Sequence, residues 1–194
     1  MPNPERDIEL MLRVKQGDHA AFQELYEAYK RPLAGFLYKM TYDPSVTEDC
    51  VQEVFLRAWR AAKNWEPTGK VSTYLFTIAH NYWINEGKRG KKRPAPFSQI
   101  AGGGDEDGGR GEEFAGKDVE PIESMEKREL RNAVRKAIEE LPEHERVVLV
   151  LSEYEGLKYQ EIGQICGIPE GTVKSRIWKA CTRLKKTLAK YVKS

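Results

Sequence analysis

The stretch YQEIGQICGIPEGTVKSRIWKA, Tyr159 to Ala180, decides the fold class. Ile162, Ile165 and Cys166 fall on one face of a helix, and Gly167 permits a sharp turn whose angle Ile168 plugs. Pro169 starts a second helix, where Val173, Ile177 and Ala180 face inward. Two helices around a Gly-containing turn of about three to four residues make a helix-turn-helix. The outward positions of the second helix are Thr172, Lys174, Ser175, Arg176, Trp178 and Lys179. Such side chains reach phosphates and base edges when the helix lies in the major groove. From Lys174 to Ser194 there are eight Lys or Arg and no acid, a stripe suited to releasing counterions from DNA. The bland alternative is an amphipathic helix with a merely solvated basic face, although solvated faces usually mix signs. Arg176, near the helix start, is the best placed for a base edge, with Lys174, Ser175 and Lys179 as neighbours or phosphate contacts.

Working outward, a chain of 194 residues with 40% hydrophobic content is long enough for one medium domain or two small ones. The formal net charge of +2 hides a segregation of acidic from basic segments, the pattern of a polyanion binder. No window approaches a membrane span, and MPNPERDIEL lacks the layout of a secretory signal, so a soluble, cytoplasmic protein with no stable membrane insertion is expected. Cys50, Cys166 and Cys181 are few and widely spaced, which points to buried thiols rather than a disulfide framework. His19, His80 and His144 are equally scattered, so no metal-ligand spacing and no cofactor site is expected.

The clearest break is SQIAGGGDEDGGRGEEFAGKDVEP, Ser98 to Pro121, rich in Gly and acid and without apolar periodicity. It predicts a flexible linker over 97–124, with ends averaging roughly 30 Å apart, between an all-helical domain over 1–96 and a second over 125–194. In the first, apolar residues recur at helical spacing: Phe22, Leu25, Tyr26 and Tyr29, then Leu33, Phe36, Leu37 and Met40, then Val51, Phe55, Ala58 and Ala62. Asp18 predicts an N-cap, Asp43-Pro44 a turn, and NWEPTGKVST a loop leading to a helix from about Ser72. In the second, Leu130, Val134, Ala137 or Ile138, and Leu141 predict one helix, and PEHERVVLVLSEYEG another that Gly156 stops. The expected fold is all-α.

A further pattern is KVSTYLFTIAHNYWINEGKRGKKR, Lys70 to Arg93, with Tyr74, Phe76, Tyr82 and Trp83 ahead of five basic residues in the six from Lys88. Aromatics interleaved with positive charge suit single-stranded nucleic acid, because bases stack on rings while Lys and Arg track the backbone. Against that, Leu75, Phe76, Ile78, Ala79 and Trp83 also suit a core. The helix around TEDCVQEVFLRAWRAA turns Asp49, Gln52, Glu53, Arg57 and Arg60 outward, a mixed-charge face that is ordinarily only solvated.

These motifs together resemble an extracytoplasmic-function (ECF) sigma factor, the small two-domain class of bacterial promoter-specificity subunit. The resemblance rests on GDHAAFQELYEAY, EDCVQEVFLRAW, STYLFTIAHNYWIN followed by basic residues, and LPEHERVVLVLSEYEGLKYQEIGQICGIPEGTVKSRIWKA, and covers nearly the whole chain outside the linker. It implies that the first domain, region 2, binds the clamp helices of the largest subunit of core RNA polymerase through Asp49, Gln52, Glu53 and Phe55. It implies that the same domain opens and reads the minus-10 element. There, a loop from about Asn64 to Lys70, including Trp65, captures a flipped base, and the next helix reads the nontemplate strand with Tyr74, Asn81, Tyr82, Lys88 and Arg89 in reach. Region 4 is implied to put the helix beginning near Glu170 into the minus-35 element and to meet the polymerase flap. An anti-sigma factor is the other implied partner, and no enzymatic activity is implied. Two positions depart from the family pattern, with Thr73 where Trp is common and Asn85 where Asp is common. The eight acidic against two basic residues between Gln99 and Ser124 suggest a linker that mimics nucleic acid near the RNA exit path.

The main competing reading is a helix-turn-helix regulator acting without polymerase, its first half a sensor or dimerisation module. A nuclease-like enzyme has little support, since no clustered carboxylates, phosphate loop or nucleophile-base pair stands out.

Overall fold

The computed structural model describes residues 3–88 and 125–192. The linker, Arg89 and the basic run 91–93 lie outside the described residues, as do the side chains of Asn85 and Lys88. All regular structure among the described residues is helical: α1 (Pro4–Lys15), α2 (His19–Thr41), α3 (Pro44–Ala61), a 3₁₀ turn (Ala62–Asn64) and α4 (Val71–Lys88) in the first half. In the second half come α5 (Met125–Glu139), α6 (Glu143–Glu153), α7 (Tyr159–Cys166), α8 (Glu170–Thr187) and the short α9 (Ala189–Val192). No helix among the described residues is long and apolar enough to cross a membrane.

Local chemistry explains most boundaries. Asp18 caps α2 by accepting the N–H groups of Ala20 and Ala21 at 2.9 and 3.0 Å, and Asp43 caps α3 through Val46 N–H at 3.0 Å. The periodic residues from Phe22 to Met40 form one helix rather than two, running through Pro32. Helix α1 had no counterpart among the expected elements. Its signals are the Asn3 cap, Pro4 at the first position, and Leu10, Met11 and Val14 on one face. Asp7 on that face is buried and accepts a 2.5 Å hydrogen bond from the Tyr29 hydroxyl, which ties α1 to α2.

Helices α1 to α4 close around Leu33, Phe36, Leu37, Val54 and Ala79, all essentially excluded from solvent. In the second half, Val148, Leu151, Ile162, Ile165 and Val173 do the same. The two cores are continuous, because α4 packs on α7 and α2 on α6. A smaller cluster of Ile138, Leu141, Leu149 and Ala180 seats α5 against α6 and α8. Arg183 on α8 donates Nε to the buried carboxylate of Glu145 at 3.0 Å, fixing α8 to the start of α6.

Candidate nucleic-acid interface

The helix-turn-helix forms as its residues dictate. Gly167 ends α7 at φ +65°, a left-handed conformation that glycine adopts without strain. Val173, Ile177 and Ala180 are buried while Lys174, Ser175, Trp178 and Lys179 are exposed. Thr172 and Arg176 are half-buried. Lys174 pairs with Glu170 one turn earlier at 2.9 Å, a contact between exposed side chains that a phosphate can replace. A residue not singled out in the sequence completes the motif. A Cβ on Gly163 would stand 2.8 Å from the Ile168 carbonyl oxygen, so only glycine allows the turn to fold this closely over α7. Its sequence signal is the first glycine of the stretch, four residues before Gly167.

On α3, Asp49 and Gln52 are exposed and Glu53 is half-buried, so all three share the outer face. Phe55 is placed differently: it is buried, 6.0 Å from Phe22 and 4.7 Å from Tyr26 between ring centroids. Its ring sets the helix on the core. Leu56 holds the apolar position on the outer face, 48% exposed and adjacent to the Gln52–Glu53 turn. Its signal in the sequence is an apolar residue out of step with the buried stripe Val51, Val54, Phe55 and Ala58.

The loop before α4 is similarly divided. Asn64 and Lys70 are exposed. Trp65 is buried, edge-on to Tyr74 at 6.4 Å, and its carbonyl accepts Lys15 Nζ at 3.0 Å. Its ring belongs to the core, so it anchors the loop against α4. On α4, Asn81 is exposed while Tyr74 and Tyr82 are half-buried; Phe76 and Trp83 belong to the core. The Arg57 guanidinium lies 4.6 Å from the Tyr82 ring centre and donates Nε to Glu53 at 2.7 Å. A chain of contacts thus runs from the outer face of α3 to the exposed side of α4. The cysteines are free; burial pushes the Cys166 thiol up to about 11, so it stays protonated at neutral pH.

This arrangement of a helical unit with a polar outer face on α3, an aromatic-bearing α4, and a cationic helix-turn-helix matches known proteins. Residues 25–93 match the family model of sigma-70 region 2, and residues 131–184 that of sigma-70 region 4. The chain is 35% identical over 193 residues to the RNA polymerase sigma-H factor of Pseudomonas aeruginosa, covering 97% of this chain and 96% of that protein. It is 35% identical over 179 residues to the ECF RNA polymerase sigma-E factor of Escherichia coli K12, covering 90% of each. The ECF RNA polymerase sigma factor SigW of Bacillus subtilis is 32% identical over 186 residues, or 93% of this chain and 98% of that one. Among solved structures, CnrH in complex with the cytosolic domain of CnrY shares the fold with a TM-score of 0.68 at 21% identity, over 95% and 97% of the two chains. The sigma factor RpoE of Bartonella quintana, in complex with the anti-sigma factor NepR, does so with a TM-score of 0.62 at 24% identity, over 87% and 96%. The chain belongs to the ECF group of the sigma-70 family of RNA polymerase sigma factors.

Proposed function

We propose that this sigma factor docks on core RNA polymerase through the outer face of α3, with Asp49, Gln52 and Glu53 as polar contacts and Leu56 as the apolar centre. Exposed apolar side chains ringed by polar ones are where binding energy concentrates. The loop from Asn64 to Lys70 and the side of α4 that carries Tyr74, Asn81 and Tyr82 engage the opened minus-10 strand, together with Lys88 and Arg89. The first turns of α8 enter the minus-35 major groove, with Thr172, Ser175 and Arg176 toward base edges and Lys174 and Lys179 on phosphates; Trp178 lies beside the backbone. Control by an anti-sigma factor follows the precedent of the Bartonella quintana complex.

The observation that carries this reading is the exposed cationic face of α8 above a buried Val173–Ile177–Ala180 stripe, in a chain whose relatives are sigma factors. The test is core-polymerase pull-down with run-off transcription. Wild type is expected to bind core and initiate at discrete start sites. The double substitution Asp49→Arg with Glu53→Arg should lose core binding, and Lys174→Ala with Arg176→Ala should keep it while losing minus-35-dependent initiation. Wild type that ignores core yet footprints duplex DNA alone would overturn the reading.

A further inference from the structure

Glu170 is the only acid in α8, and it stands at the leading position of a helix that is otherwise cationic on its outer side. Its carboxylate is half exposed and lies 2.9 Å from the Lys174 ammonium one turn on. The hydrogen bond and the charge of Glu170 together hold the Lys174 pKa above its ordinary value. Glu170, Lys174 and Trp178 follow at four-residue spacing and are all exposed, so they form one row along α8. Thr172, Arg176 and Lys179 run along its other flank, with the buried Val173–Ile177–Ala180 stripe behind both.

An acid in the first turn of a helix complements the positive end of its dipole. That role is indifferent to DNA, and it does not suit this position, because a carboxylate carried into the major groove lies between two rows of phosphates. The pair with Lys174 screens it in the free protein. Once Lys174 turns to a phosphate, the pair opens and Glu170 is left as a group that can only accept hydrogen bonds.

The bases offer such a group few partners. In the major groove, guanine shows acceptors at O6 and N7 and thymine an acceptor at O4, all of which repel a carboxylate. The donors are the amino groups of cytosine N4 and adenine N6. Adenine sets the N7 acceptor beside its amino group, whereas cytosine has a C–H there, so cytosine is the base that an anionic acceptor tolerates best.

We infer that Glu170 is a specificity-determining residue of the minus-35 contact, whose carboxylate accepts the N4 amino group of a cytosine and so selects a G·C pair at one position of the element. The inference rests on the promoter-reading function proposed above and adds to it one residue and one base pair. Part of the selection is repulsive, since guanine or thymine at that position leaves the carboxylate facing lone pairs.

The test uses the full chain assembled with core polymerase. A library of duplexes of randomised sequence is selected for heparin-resistant binding, and the enriched fragments are sequenced for wild type, Glu170→Gln, Glu170→Ala and Glu140→Gln, the last a charge change at an exposed site beyond α5. Wild type is expected to enrich a minus-35 motif containing the G·C pair. Glu170→Gln should turn that position to A·T, because an amide matches adenine N6 and N7 together. Glu170→Ala should flatten that position alone, and Glu140→Gln should return the wild-type motif. On the wild-type motif, replacing the G·C pair should cut run-off about tenfold with wild type and less than about twofold with Glu170→Ala. Identical base preferences in wild type and Glu170→Ala, or a loss spread evenly over all sequences as a weakened helix end would give, overturn the assignment. With core binding and a minus-35 motif retained, either result sinks Glu170 as a base contact alone. A wild-type chain that binds no core, or enriches no minus-35 motif, sinks the promoter reading and this assignment with it.

Discussion

Gly163→Ala is the sharpest probe of the helix-turn-helix, since it adds one methyl group where the chain has no room. The new Cβ would stand 2.8 Å from the Ile168 carbonyl oxygen, about 0.5 Å inside the roughly 3.3 Å at which carbon and carbonyl oxygen ordinarily meet. Neither atom is at the end of a flexible side chain, so the backbone must move. Overpacking of this kind costs about 1–3 kcal/mol. Movement also strains the Ile168 N–H bond to the Gly163 carbonyl, now 3.0 Å, worth about 1 kcal/mol. Against these, alanine gains about 1 kcal/mol over glycine in a helix. The net expectation is a loss of about 1–3 kcal/mol, or about 2–12 °C in Tm, followed by far-UV circular dichroism. Gly167→Ala is the contrast, because nothing lies within 4 Å of its added Cβ and only the φ of +65° is strained. A Gly163→Ala protein with unchanged or raised Tm would refute the reasoning. Minus-35-dependent initiation should fall in Gly163→Ala before core binding does.

Other expectations come from buried and bridging groups. Tyr29→Phe deprives the buried Asp7 carboxylate of its 2.5 Å donor and is expected to cost about 1–3 kcal/mol, read as a lower urea midpoint with unchanged slope. Arg183→Ala leaves Glu145, 2% exposed, without its guanidinium partner; a loss of about 2–4 kcal/mol is expected in the same assay, and a midpoint equal to wild type contradicts it. Glu155 has a carboxyl that burial pushes up to about 7 against the opposing pull of Lys39. A carboxyl with a raised folded-state pKa adds stability below its unfolded value, and that stability is lost as pH rises toward and through the folded one. Wild type should therefore lose stability relative to Glu155→Gln between about pH 5 and about pH 8, and parallel midpoint curves would exclude this. His80, whose pKa burial holds below its ordinary value, opposes this trend in the acid range but is common to both proteins and cancels in the comparison. Arg57→Ala cuts the link between Glu53 and Tyr82; open-complex formation on heparin challenge should fall more than core retention, and an equal fall in both counts against the link.

Much of the molecule was legible locally. Asp18 and Asp43 act within three residues of themselves, and the Val173–Ile177–Ala180 stripe follows from the 3.6-residue helical period, so caps and inward faces needed no tertiary information. Gly167 is readable for the same reason, since a left-handed residue at a helix end is a local demand. The cationic face of α8 follows from that periodicity combined with the absence of acid after Lys174. Trp65 marks where locality ends: it lies in a segment with an expected partner role, yet it is buried beside Tyr74 of another helix, whereas Phe55 already falls on the inward stripe with Val51, Ala58 and Ala62. The requirement for Gly163 depends on how closely the following turn folds back over α7, a distance that composition does not carry. What the sequence by itself determined is the set of helices, the helix-turn-helix and the charge of its outer face, because these depend on spacing along one chain segment. The tertiary structure alone decided how the two halves meet, because the Lys70–Glu161 pair and the cation-ring contacts of Lys39, Arg135 and Arg146 join segments from opposite sides of the linker. No periodicity along the chain encodes which ends of separate helices will meet.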